Sequence, residues 1–532
     1  MSGHVFVVGA DLTRLSCDDV LVPTDRSLRV AAGWLPLLPA DAVRGQDGGV
    51  LRLAGEWAEG ERVREVPGCG ERRAWLVETV DDAEPDGDGE LGRLLAGARE
   101  ALAAVAEREV PAPAHGRARR LVGLPPLGTG WGGAAGRRGA LLQELLPVLR
   151  EAAEQHGYDV ALVLRRPSDL AAAQRVRRSE GGGWSLPAAL RQVAEDLGGR
   201  ARAGELAVFL GAGVSAAAGL PTWEQLLGEL ADRAGLDDAL RAGLARLPPQ
   251  DAAALLAREL GRDRLSAYVQ ERFGPGQYSL AHALIAGLPV HEYVTTNYDP
   301  LVELAAADIG RPLRVLPFDE PAPGAPWLLK LHGDAAHPES IVLTREQYLE
   351  FGDHRTALAG VLQSLLLTRH VLFVGTSMLD DDLIRIAHQV RSVLGDHVPG
   401  DHGPGDRVRG EDDPGPGRRS GTVLSLGEDP LRARLWERDV ATVAMTGAPE
   451  AAPVSAAEAA RRLEVLLDLL GCLSSRPAGY LLDPAYRGLL DAEETALADA
   501  LADVGGALAA GSGESWAGHE VLRLLRQLGH GD

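Results

Sequence analysis

Lysine and asparagine are almost missing from these 532 residues: Lys330 and Asn297 are the only ones of their kind, although arginine is abundant. A GC-rich genome, which avoids A-rich codons, produces such a skew. Arginine then stands wherever positive charge alone matters, so a surviving lysine or asparagine is kept for its own chemistry. Cysteine is nearly as scarce. Cys17, Cys69 and Cys472 lie too far apart for a disulfide framework or a CxxC metal knuckle. No apolar run approaches the ~20 residues that a membrane span needs. The opening MSGHVFVVGADLTR lacks a basic start followed by a long apolar stretch, so it is not a signal peptide. The expectation is a cytoplasmic protein with no membrane partner. Positive charge is in deficit as well, with a net charge of -22 and a pI near 5.1. An acidic surface repels phosphate backbones, which excludes broad nucleic-acid binding. The cluster Arg165, Arg166, Arg175, Arg177 and Arg178 reads as a solvated helix edge rather than a basic face.

What is present is apolar content of 45%, enough for two or three packed domains. Residues 1–180 alternate short apolar runs with helical patterns. Val5–Val8, Val20–Val22, Trp75–Val80, Leu121–Leu124 and Val160–Leu164 read as buried strands. Leu91–Glu109 and Gly139–Gln155 read as helices, the second with a leucine face. Gly181–Gly183 marks a linker. A second α/β unit, 185–450, has expected strands at Ala207–Leu210, Tyr293–Thr295, Leu328–Leu331, Val371–Val374, Thr422–Ser425 and Thr442–Ala444. Within it, residues 395–421 are Gly, Pro and charge with almost nothing to bury, which predicts a disordered insert. Residues 454–532 form a helical C-terminal region. Its stripes Leu463, Leu466, Leu467, Leu470 and Val521, Leu524, Leu525, Leu528 suit a core or a subunit contact, and a homo-oligomer is expected.

Four motifs in the second unit end strands. AVFLGAGVSAAAGLPTW (207–223) runs from a strand into Gly211-Ala212-Gly213, where a backbone turn lets a pyrophosphate approach N–H groups. TTNYD (295–299), LLKLHGD (328–334) and VLFVGTSMLDDDL (371–383) follow, the last with Asp380 or Asp381 placed to cap a helix. All four emerge at one carboxyl edge of a parallel sheet, where open α/β sheets bind ligands.

In this order the motifs resemble the sirtuin family, and most of all its bacterial branch of Thoeris-type effectors, which hydrolyse NAD+ in anti-phage defence. The likeness spans about residues 186–446 and implies a Rossmann-like domain that takes NAD+ as substrate. Carried over, it implies that Gly211, Ala212, Gly213, Ser215 and Gly219 line the dinucleotide. Asp299 would face the nicotinamide ribose with Asn297, and Thr296 would be a further NAD+-binding residue. His332 would be the catalytic histidine, paired with Asn297, and Gly375, Thr376 and Ser377 would contact the adenosine half. An asparagine amide both donates and accepts, so it can orient a ribose hydroxyl and a water together. A neutral histidine can take a proton from either. Deacylating sirtuins carry a zinc module with two CxxC pairs, whereas no cysteine stands between Cys69 and Cys472 here. Thr222-Trp223-Glu224 replaces their Asp-Phe-Arg, and Ala335–Tyr348 lacks an acyl-lysine strip. These departures imply water as the acceptor, no zinc and no bound metal. Lys330 receives no role from the likeness.

The N-terminal region is similar to macrodomains, the ADP-ribose-binding fold. Asp11 stands where that family contacts adenine, and Gly128-Thr129-Gly130-Trp131-Gly132-Gly133 resembles its phosphate loop. Pro23-Thr24-Asp25-Arg26-Ser27 stands in place of its Asn-rich motif, so the resemblance implies either binding of an ADP-ribose-like regulatory nucleotide or a structural scaffold. The functions weighed are therefore an NAD+ hydrolase acting in abortive infection, a deacylase or ADP-ribosyltransferase, and a catalytically silent nucleotide sensor.

Overall fold

A computed structural model describes residues 2–531 apart from 70–71, 81–86, 109–111, 131–132, 182, 275, 355, 379, 396–418, 447–453, 476–477 and 509–514. Most of the expected insert, 395–421, lies outside the described residues. Its last residue, Gly421, already belongs to the strand Gly421–Ser425.

Each expected N-terminal strand forms. They join a six-stranded sheet ordered Val5–Gly9, Asp159–Leu164, Leu121–Leu124, Asp19–Asp25, Arg73–Val80 and Val63–Val66, parallel except for its last pair. The helices Gly87–Glu107 and Arg138–His156 cover it, and the leucines of the second are buried. A small antiparallel sheet (Arg29–Ala31, Val50–Leu53, Val43–Asp47) projects beside it.

The second sheet has seven parallel strands, ordered Arg314–Leu316, Trp327–Lys330, Glu292–Thr295, Leu206–Leu210, His370–Val374, Gly421–Ser425 and Val440–Ala444. Sheets covered on both faces read as continuous apolar runs, which is why these strands, apart from the edge strand Arg314–Leu316, were legible. The order runs outward from Leu206–Leu210 first to one side and then to the other. The crevice between Leu206–Leu210 and His370–Val374 is thus the switch point, the usual place for a ligand.

The C-terminal region is helical, as expected, and of the two places open to its first leucine stripe the structure takes the core. Helix Ala456–Ser474 is buried along nearly its whole length, including Arg461, Arg462, Glu464 and Asp468. It packs on helix Ala188–Ala203 of the second unit and on strand Val5–Gly9 of the first. Its charges are paired across this seam: Arg461 with Asp159, Glu464 with Arg117, and Asp468 with both His4 and Arg177. Leu466, Leu467 and Leu470 are therefore interior and form no subunit contact. The same pairing corrects the arginine cluster. Arg177 is buried, Arg178 donates to Cys472 O, Arg175 meets Glu494 and Arg166 meets Asp483. These four side chains dock the C-terminal region and do not form a solvated edge, whereas Arg165 stays exposed beside Asp11 as expected. Among the described residues no helix is long and apolar enough to cross a membrane.

Candidate active site

Three glycines interlock at the switch point. The Gly211 N–H donates to Val374 O and the Gly213 N–H to Gly375 O, each at 2.9 Å. A Cβ on Gly211 would lie 2.5 Å from Gly375 O, and one on Gly213 2.9 Å from the Gly375 Cα. Gly375 has φ +69°, a conformation that favours glycine. These residues hold the two loops against each other, while Ala212 and Gly213 stay exposed at the lip. Thr376 accepts from Met378 N–H through its hydroxyl, and Ser377 is exposed beside it. Gly219 has φ +82° and sits against the ring of His115 from the N-terminal unit, 2.9 Å from where its Cβ would be.

Asn297 follows the strand Glu292–Thr295 and is half-buried, as is Thr296. Its side-chain amide donates to Gly211 O (3.1 Å) and to Ser215 Oγ (3.0 Å), and its own N–H is held by Thr295 Oγ1 at 3.0 Å. Both amide hydrogens are thus engaged by protein, leaving the amide oxygen to accept from a ligand. The expectation that this amide both donates and accepts toward the ligand is corrected accordingly. Ser215 and Asp299 are buried beneath the edge instead of lining it. Ser215 Oγ donates to Asp299 Oδ2 at 2.8 Å, and Asp299 Oδ1 caps Leu301 N–H. A carboxylate buried this deeply needs such partners. His282, which the motifs did not point to, completes the layer. Its Nδ1 accepts from Ser279 N–H, and its Nε2 lies 3.4 Å from Ser215 Oγ. Burial lowers its pKa to about 4 against the pull of Asp299, so the ring is neutral near pH 7.

His332 follows the adjacent strand Trp327–Lys330 and is buried. Its Nδ1 lies 3.4 Å from the Tyr348 hydroxyl, and the two rings meet edge to face. Its Nε2 faces Asp380 Oδ2 at 3.5 Å and Asp382 Oδ2 at 3.8 Å. Asp380 caps helix Asp381–Gly395 through Asp382 N–H and Leu383 N–H, as the motif predicts. Burial pushes the Asp382 carboxyl up, but His332 and Arg385 outweigh it and hold it below the usual range. Two carboxylates thus face this ring nitrogen, an arrangement that would complement positive charge on the imidazole. One imidazole nitrogen and two carboxylate oxygens within 4.8 Å of one another are also a set that a divalent ion could use.

The Asn297 and His332 loops are tied together. Leu331 N–H donates to Thr295 O and Ala335 N–H to Tyr298 O, each at 2.9 Å, and the Tyr298 hydroxyl donates to Val342 O at 2.7 Å. Lys330 lies beneath both loops, fully buried, with Nζ 2.7 Å from Glu303 and 2.8 Å from Asp334.

In the N-terminal unit a cavity of about 560 Å³ opens at the carboxyl edge of its sheet. It is lined by Gly128, Thr129 and Gly130, with Asp25, Arg29 and Trp34 opposite. Gly132 lies outside the described residues. Asp11 is not among the lining residues. Its carboxylate accepts from Thr13, and its N–H donates to the Tyr278 hydroxyl of the second unit at 2.8 Å.

Residues 291–403 match the family model described as SIR2-like domain. The chain is 33% identical over 196 residues to the NAD(+) hydrolase ThsA of Cytobacillus dafuensis, covering 36% of this chain and 38% of that one. To the protein of the same name from Enterococcus faecium it is 34% identical over 200 residues, covering 36% and 41%. To the Defense-associated sirtuin 2 of Bacillus subtilis it is 24% identical over 212 residues, covering 37% and 20%. The chain thus spans about two fifths of the length of the ThsA relatives.

Proposed function

We propose that this chain hydrolyses NAD+ to nicotinamide and ADP-ribose at the sheet edge where Asn297 and His332 meet, and that it does so as an effector of abortive infection by phage. The observation that carries the reading is the convergence of the two residues at the ends of adjacent parallel strands, beside the interlocked glycine turn. The names of the relatives, an NAD(+) hydrolase and a defence-associated sirtuin, agree with it.

In this reaction the bond from the ribose C1′ to the nicotinamide nitrogen breaks and its electron pair leaves with neutral nicotinamide. Water adds to C1′, and its proton is released. Asn297 offers its amide oxygen to a ribose hydroxyl or to the water, held in place by Gly211 and Ser215. His332 takes the proton, and Asp380 and Asp382 face the charge it acquires. Positioned proton transfer of this kind is worth ~10²–10⁴-fold. Incubating the protein with NAD+ and measuring free nicotinamide and ADP-ribose tests the assignment. Equal amounts of the two support it, and transfer of ADP-ribose onto protein counts against it.

The N-terminal cavity would hold an ADP-ribose-like nucleotide that controls this activity, with Gly128–Gly130 at its phosphates. Self-assembly through the C-terminal region would use the exposed apolar side chains of its last two helices, Leu497 and Val504 on Ala492–Ala507 and Trp516 and Leu524 on Trp516–Gln527.

A further inference from the structure

Lys330 stands at the end of strand Trp327–Lys330, opposite Thr295 on the strand that leads to Asn297. Its ammonium makes four contacts. Two are with the carboxylates of Glu303 and Asp334, and two are donated to main-chain carbonyls, Asp299 O at 2.9 Å and Tyr298 O at 3.3 Å. Each partner belongs to a segment bearing on the site. Tyr298 and Asp299 follow Asn297 directly. Asp334 follows His332 by two residues. Glu303 is on helix Leu301–Asp308, whose first turn Asp299 caps. A buried ammonium is costly unless its hydrogens are all met, and here they are. Burial alone would lower its pKa, but the two carboxylates raise it, so the group stays charged.

Charge alone does not account for lysine here. In a chain that otherwise uses arginine for its cations, a planar guanidinium would fork onto the carboxylates but could not also bring one compact donor head to two neighbouring carbonyls. We propose that Lys330 is a positioning residue, whose ammonium sets the separation between the loop carrying Asn297 and the loop carrying His332. The effect on turnover rests on the NAD+-cleavage reading of that site; the effect on loop position does not.

The composition supplies the probe. With a single asparagine in the chain, ¹⁵N-asparagine labelling reports on Asn297 alone. Two variants are compared with the unaltered full chain. Lys330→Arg keeps the charge. Lys330→Met with Glu303→Gln and Asp334→Ser removes the cation and both acids together, so no uncompensated buried charge remains. In each folded variant the Asn297 signals should move by more than their width or broaden. The kcat for nicotinamide release should fall by ~10-fold or more, with KM for NAD+ changed less than ~3-fold, as expected for a lost near-attack geometry. Unmoved Asn297 signals in a folded variant overturn the proposal, whatever the activity. Activity retained in His332→Ala would sink the site reading and leave the signal test standing. Should neither variant fold, ¹⁵N-lysine labelling of the unaltered chain carries the test. The lone ammonium signal should exchange slowly and shift when a non-hydrolysable carba analogue of NAD+ is added, and a rapidly exchanging signal that ignores the analogue overturns the proposal.

Discussion

Glu303 and His282 are buried groups whose titrations oppose each other. Burial pushes the Glu303 carboxyl up to about 7, against the pull of Lys330, and lowers His282 to about 4. Between the ordinary glutamate value and pH 7 the folded chain holds a proton on Glu303 that the unfolded chain has lost, so this group costs stability as pH rises through that window. Between pH 4 and the ordinary histidine value the unfolded chain binds a proton that buried His282 refuses, so His282 costs stability as pH falls. The Tm of Glu303→Gln relative to the unaltered chain should therefore be more favourable at pH 8 than at pH 5, whatever the loss of the Lys330 contact costs at both. A Tm difference constant across that range would contradict the buried-carboxylate account. Metal is a second matter settled at single residues. If His332 acts as the proposed proton acceptor, and with too few cysteines for a four-cysteine site, purified protein should contain no stoichiometric zinc, and a chelator should leave nicotinamide release unchanged. Activity lost to the chelator and restored by a divalent ion would instead assign His332, Asp380 and Asp382 as ligands.

Among the elements, the inner strands of both sheets were readable because strands covered on both faces are near-continuous apolar runs, and the four motifs were readable because each ends such a strand, whereas the part-exposed edge strand Val63–Val66 was not expected. The three-residue edge strand Arg314–Leu316 carries too short a pattern to stand out. The hairpin joining Val43–Asp47 to Val50–Leu53 did leave a signal, the Gly48-Gly49 pair, that pattern reading passed over. The layer beneath the site was hidden for another reason. His282, Glu303, Tyr348 and Asp382 matter through partners remote in sequence, and no local spacing announces such contacts. The same holds on helix Ala456–Ser474, where Arg461, Glu464 and Asp468 are paired across the seam between the two units with residues at least 291 positions away. The segment before Gly421 yields its own prediction. Replacing 396–418 with a brief linker should leave NAD+ cleavage and Tm nearly unchanged, because that stretch has little apolar surface to bury and closure entropy grows slowly with length. The replacement must spare Gly421, where a Cβ would meet Val371 O at 2.2 Å. A large drop in Tm would show that the segment packs.

For the whole molecule the question is how the proposed NAD+-consuming site would be held in check. The first unit grips the second at places that lead to the site. Leu15 and Tyr278 form a parallel bridge, the Tyr278 hydroxyl joins Asp11 N–H to Asp308 at the end of helix Leu301–Asp308, and His115 abuts Gly219. Tyr278 also immediately precedes Ser279, which fixes His282. Cutting the chain at residue 180 would strip the partners from the buried charges of Ala456–Ser474, so point substitutions make the cleaner test of coupling. Tyr278→Phe is expected to keep the fold while changing both basal cleavage and its response to ADP-ribose-like nucleotides. Moving such a switch from mostly off to mostly on takes about 5.5 kcal/mol of differential affinity. Unaltered basal and nucleotide-responsive rates in Tyr278→Phe would remove this contact from the control of the site. The central claim is tested most directly by following nicotinamide release from NAD+ by the full chain beside folded Asn297→Ala and His332→Ala. The account predicts release by the unaltered chain and a loss of ~10²-fold or more in each variant; near-equal release from all three proteins would contradict it.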